Sequence, residues 1–159
     1  MRYPSNFMPQ GRLKEATGNP ATPITGGFRC ILQVVNDQGK YGDEMCRNWP
    51  QAESSYRGWY RNCFGKMDKK LGEIQTAQVQ SDTAVIHVLA KTGKDEKLNY
   101  DALRKGLKEA GIYASDQNGN VHMWKIEGDQ EKIQAAITEE LLKRGVNVTI
   151  YTAQAPKQG

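Results

Sequence analysis

The chain is short of the residues that staple or metallate small proteins. Three cysteines, Cys30, Cys46 and Cys63, and two histidines occur in 159 residues. There is no Cys-x-x-Cys, and neither histidine stands at metal-ligand spacing from a cysteine, so no zinc site is expected. Three thiols cannot all pair with one another, and the plain reading is reduced cysteines in a cytoplasmic protein. No stretch approaches the roughly 18 apolar residues of a membrane-spanning helix. The first nine residues lack a continuous apolar segment, so no signal peptide is expected. Nor does one sign of charge dominate: 22 Lys and Arg face 18 Asp and Glu, a formal charge of +4. That balance permits an anionic ligand without calling for nucleic acid.

What is present is a set of short apolar runs separated by turn residues. Residues 1–12 carry Pro4, Pro9 and Gly11 without periodicity and read as an arm. Residues 13–152 read as one domain and 153–159 as a polar tail. Cys30-Ile-Leu-Gln-Val-Val35 is nearly continuous, the pattern of a strand buried on both faces at the centre of a sheet. Gln51–Tyr60 is helical in pattern, although Gly58 weakens it. Glu73–Gln80 alternates, and Thr83–Leu89 reads as a second buried strand. Asn99 suits a helix N-cap, and the helix carries Leu103, Leu107 and Ala110 on one stripe up to Gly111. Asn120–Ile126 is a further strand. Gly128-Asp129 opens a helix with Ile133, Ile137 and Leu141, which Gly145 ends. Val146–Tyr151 is the last strand. Buried strands alternating with helices predict an α/β fold, a three-layer α/β/α sandwich with a mixed central sheet. Ligands in such folds bind beyond the carboxyl ends of the strands. That directs attention to loops 36–44, 90–98 and 126–129.

The loop after strand 30–35 holds Gly39 and Gly42, which would let backbone N–H groups approach a phosphate, though an ordinary turn has the same composition. Lys91 follows a buried strand. It is a candidate nucleophile or anion contact there, with a solvated loop lysine beside Lys94 and Lys97 as the competing reading. His87 and His122 lie within strands and read as hydrogen-bonded packing residues. Trp49, Tyr56, Trp59 and Tyr60 form a stripe that reads as core rather than a base-stacking platform. Asp37, Asp43 and Glu44 surround a glycine loop as solvated acids, with a metal site as the less common alternative.

Ala16-Thr-Gly-Asn-Pro-Ala-Thr-Pro23 followed by Ile31-Leu-Gln-Val-Val-Asn-Asp-Gln-Gly-Lys-Tyr-Gly42 resembles the macro domain. It is most similar to the subgroup with the terminal ADP-ribose glycohydrolase and the ADP-ribose-1″-phosphate phosphatase. Trp49-Pro-Gln-Ala-Glu, Leu71-Gly-Glu, Leu98-Asn-Tyr-Asp-Ala-Leu, Val121-His-Met and Val148-Thr-Ile-Tyr-Thr152 keep the family's order. The resemblance implies an ADP-ribose cleft, no cofactor and no metal. It puts Asn19 at the adenine, and Asn36, Asp37, Gln38, Gly39, Tyr41 and Gly42 around the distal ribose. Ile126 and Gly128 fall on the second phosphate loop, and Lys91 on the position that attacks the ribose anomeric carbon in the glycohydrolase. The chain departs from the family at Trp124-Lys-Ile-Glu-Gly-Asp-Gln130, where most phosphate-binding glycines and the acid that partners the lysine are missing. Asp37 or Asp129 would have to supply that acid, although Asp129 is also a natural N-cap. The resemblance therefore implies a monomeric binder of ADP-ribose or ADP-ribosylated protein with weak or lost hydrolase activity. The alternatives are an active ADP-ribosyl hydrolase or ADP-ribose-1″-phosphate phosphatase, and a protein or nucleic-acid interaction module that kept the fold and lost the ligand.

Overall fold

The apolar run at residues 28–36 takes the place its composition dictates. In the computed structural model, which describes residues 10–23, 26–39, 48–63, 66 and 70–152, strand β2 (Phe28–Asn36) lies mid-sheet, parallel to a neighbour on each side. Strand β1 is Leu13–Thr17, helix α1 Pro50–Asn62, β3 Ile74–Gln80, β4 Thr83–Thr92 and β5 Lys97–Leu98. Helix α2 spans Tyr100–Asp116, β6 Gly119–Trp124, α3 Gln130–Glu140 and β7 Val148–Thr152. The sheet order is β1-β7-β6-β2-β4-β3, with β5 paired to β4. Among the described strands only β3 and β5 run antiparallel to their neighbour. The expected α/β/α sandwich with a mixed sheet is what forms.

Alternation along the central strands divides the core in two. Leu32, Ile86, Val88, Val121 and Met123 face Leu103, Leu107, Ile133 and Ile137 of α2 and α3. Ile31 and Val85 pack on Ala52, and Val35 and Leu89 on Tyr56, both from α1. The chain therefore leaves β2 for one face of the sheet and leaves β6 for the other. The carboxyl ends of these adjacent strands form a topological switch point, where a crevice opens in sheets of this kind.

The structure corrects several element boundaries. Helix α2 passes through Gly111 and ends with Asn118 in the left-handed region. Gly111 serves close packing instead, since a Cβ there would stand 2.3 Å from the Glu140 carbonyl oxygen. Helix α3 stops at Glu140, and the 3₁₀ turn Leu142–Arg144, not α3, is what Gly145 terminates. Strand β1 carries no alternation because its side chains are almost all exposed. Its ladder with β7 holds it, and Gly11 and Arg12 are also bonded to the body, through Leu142 and Asn147. Residues 1–9 of the expected arm and the 153–159 tail lie outside the described residues.

Candidate functional site

Both strand histidines are packing residues. His87 is fully buried, bonded to Gln75 at 2.6 Å, and burial pushes its pKa down to about 3. His122 bonds the Tyr151 hydroxyl at 2.9 Å, and burial, with Arg29 adding to it, lowers it to about 4. The aromatic stripe is core as expected: Tyr56 is fully buried, Trp59 and Tyr60 pack beside it, and the Trp49 indole donates to the Ala21 carbonyl.

Five of the strands, β1, β7, β6, β2 and β4, run parallel, with their carboxyl ends on one side of the sheet. The end of β2 is built tightly. A bulge between Val35 and Asn36 brings Asn36 opposite Lys91 of β4. Asn36 is 2% exposed, and its carbonyl accepts from the Tyr56 hydroxyl at 3.0 Å. Burial first, then Tyr60, pushes the Tyr56 pKa up to about 12, so this hydroxyl stays a donor. The Asn36 carboxamide accepts from the Gln38 N–H at 2.8 Å and donates to Glu96 Oε1 at 2.8 Å. Asp37 reaches the same hairpin: its N–H donates to the Lys91 carbonyl, and its Oδ1 accepts from the Gly93 N–H at 2.9 Å. Gln38 is exposed. Gly39 adopts φ +76 against the Tyr60 ring, a backbone position that favours glycine.

Lys91 lies inside β4 rather than beyond it, because that strand continues through Thr92 to pair with β5. Its side chain is half-buried and forms no ion pair among the described residues. Asn19 uses its side-chain oxygen to accept from the Ala21 N–H at 2.9 Å, closing the turn that follows β1. Tyr41 and Gly42, like Asp43, Glu44 and Cys46, lie outside the described residues.

The second loop, 125–129, is braced from two sides. Tyr100 accepts at its hydroxyl from the Asp129 N–H at 2.9 Å. Gln130 donates to the carbonyls of Ile126 and Gly128 at 2.9 and 3.2 Å. The Asp129 carboxylate is held as the N-cap of α3, accepting from Glu131 and Lys132. Ile126 is buried in the core and Gly128 takes φ +142. Among the described residues the amides of Ile126, Glu127 and Gly128 donate to no protein acceptor. These N–H groups at a strand end are left as donors that an anionic acceptor could take. A hollow of about 90 Å³ that this loop shares with α3 and β7, lined by Lys125, Ile126, Gln130, Ile133, Ile137 and Ile150, is far smaller than a nucleotide needs. No cluster of metal-binding side chains occurs among the described residues.

Sequence reasoning missed Glu96, Tyr100 and Gln130. Tyr100 lies within a quoted motif, but nothing in the sequence signals its bond to Asp129. Glu96 carries no signal at all.

No protein-family profile and no curated protein matches the sequence. Solved structures do. A macrodomain protein from Streptomyces coelicolor superposes with a TM-score of 0.81 at 28% identity, covering 89% of this chain and 99% of that one. The macrodomain of Mycobacterium tuberculosis DarG gives 0.68 at 16% identity over 91% and 99%. Thermosipho africanus DarTG, solved in complex with ADP-ribose, gives 0.61 at 12% identity over 83% of this chain and 39% of that protein. With the strand order, the switch point and these superpositions in place, the chain carries the macrodomain fold.

Proposed function

We propose that this chain binds ADP-ribose, free or attached to protein, in the crevice above the carboxyl ends of β2 and β6. The observation that carries the reading is the run of unbonded amides at Ile126, Glu127 and Gly128 beside the buried end of β2. A diphosphate would accept from those N–H groups, and Asn36 and its neighbours would face the distal ribose. ADP-ribose bound to the Thermosipho protein of the same fold supports it. Asn19 would meet the adenine, with its amide N–H₂ group, since the oxygen already serves Ala21. Cys30 and Cys63 are free thiols, in keeping with a cytoplasmic setting. No helix among the described residues is long and apolar enough to cross a membrane. The test is titration calorimetry of the whole chain with ADP-ribose, for which we expect one site per chain. Heats no larger than those of dilution would overturn the reading.

Hydrolysis is the second reading, and the register of Lys91 opposite Asn36 favours it. As the neutral amine, Lys91 would attack the anomeric carbon of an ADP-ribosylated carboxylate, which leaves as the anion; the amine would then lose its proton, and water would release the ribose and restore the lysine. The acid-base partner is the weak point. One Asp37 oxygen already accepts two N–H groups, and Asp129 is committed to its cap. Binding with slow or no turnover is therefore the stronger reading.

A further inference from the structure

The hairpin between β4 and β5 carries an anomaly. Glu96 sits at φ +49, in the left-handed region that glycine, asparagine and aspartate favour. Asn118, which shares this sign, ends a helix and suits that role. A glutamate held there points to a task for its side chain. That side chain reaches back across 60 residues to the carboxamide of Asn36, which is itself 98% buried, with Oε1 accepting at 2.8 Å. Two further bonds fix the hairpin to the same loop, Asp37 N–H to the Lys91 carbonyl and Gly93 N–H to Asp37 Oδ1. The second Glu96 oxygen accepts from nothing among the described residues, and the residue is exposed. The result is a carboxylate anchored by one oxygen on the buried amide that ends β2 and open at the other.

We propose that Glu96 is a specificity residue of this crevice: its open oxygen accepts from a vicinal diol on the ligand's terminal sugar and disfavours a phosphorylated terminus. Two neighbouring sugar hydroxyls are donors, and a fixed carboxylate accepts from them without needing a counter-charge, as acidic residues do at the ribose of dinucleotides. A phosphate on the adjoining anomeric carbon would leave that diol intact but bring its charge toward Glu96, and like charges repel. Lys91, Lys94 and Lys97 share the hairpin, but none forms an ion pair with Glu96. The inference rests on the crevice being an ADP-ribose site and adds which ADP-ribosyl ligands it admits.

Calorimetric titration of the whole chain with ADP-ribose and with ADP-ribose-1″-phosphate tests it. Wild type is expected to prefer ADP-ribose at least tenfold. Glu96→Gln keeps an acceptor for Asn36 and removes the charge. It should cut that preference to threefold or less, chiefly by tightening the phosphorylated ligand. Glu96→Ala should also weaken ADP-ribose severalfold. A wild-type preference that survives unchanged in Glu96→Gln, in a variant with wild-type thermal unfolding, would overturn the role of Glu96 and leave the ADP-ribose reading standing. If neither ligand binds wild type, the ADP-ribose reading falls, and the assignment of Glu96 falls with it.

Discussion

Lys91 and Tyr56 separate the two kinds of residue around the end of β2. Lys91 has no ion pair to lose among the described residues, so Lys91→Arg should leave folding unchanged. If the chain turns over ADP-ribosylated protein, that variant should abolish turnover, because arginine keeps its proton and cannot act as a nucleophile. Lys94→Arg, on the exposed turn, should retain wild-type turnover, and equal rates in all three proteins would remove Lys91 from the chemistry. Tyr56 is structural. Its hydroxyl is the donor to the Asn36 carbonyl, and Tyr56→Phe leaves that buried oxygen short of a bond. The expected loss is about 1–2 kcal/mol, read as a lower urea midpoint at unchanged m-value.

At the level of elements, two helical glycines with opposite surroundings make a paired test. Gly58 in α1 has nothing within 4 Å of a Cβ position, so Gly58→Ala should gain about 0.5–1 kcal/mol. Gly106 in α2 lies against β4, where a Cβ would stand 2.3 Å from Val88 Cγ1. Overpacking there costs about 1–3 kcal/mol and outweighs the gain in helix propensity, so Gly106→Ala should lower the urea midpoint. The same contrast explains what the sequence could reveal. Strands β2 and β4 are legible because burial on both faces leaves a continuous apolar run. The N-caps Asn99 and Asp129 are legible because capping is local chemistry. Gly111 misleads because a glycine that ends a helix and one that admits a neighbouring helix have the same letter. Of the site, Lys91 and Asp37 are legible from their place after buried strands and Asn36 through resemblance, and the structure brings them together. Glu96 and Gln130 act through bonds that no periodicity encodes.

The whole molecule should be acid-sensitive. His87 and His122 are held neutral by burial, with pKa values near 3 and 4, whereas an unfolded histidine titrates near 6.5. Between pH 6.5 and about 4 the unfolded chain therefore binds more protons, so stability is full above that window and falls as pH drops through it. The loss should reach several kcal/mol at pH 4.5 relative to pH 7.5 in urea unfolding, and His122→Gln should flatten part of the slope. A flat profile would contradict the burial of both rings. Strand β1 has a different consequence. It joins β7 across a separation of 135 residues, and its five side chains contribute almost nothing to the core. Detaching it exposes little apolar surface, so its amides should exchange with solvent hydrogen at a far lower opening free energy than those of β2. The opening would stop near Ala21, which is fully buried and held by Trp49. Asn19 lies on the detaching side of that anchor, so a ligand gripping Asn19 would slow exchange throughout β1, in a strand it never touches.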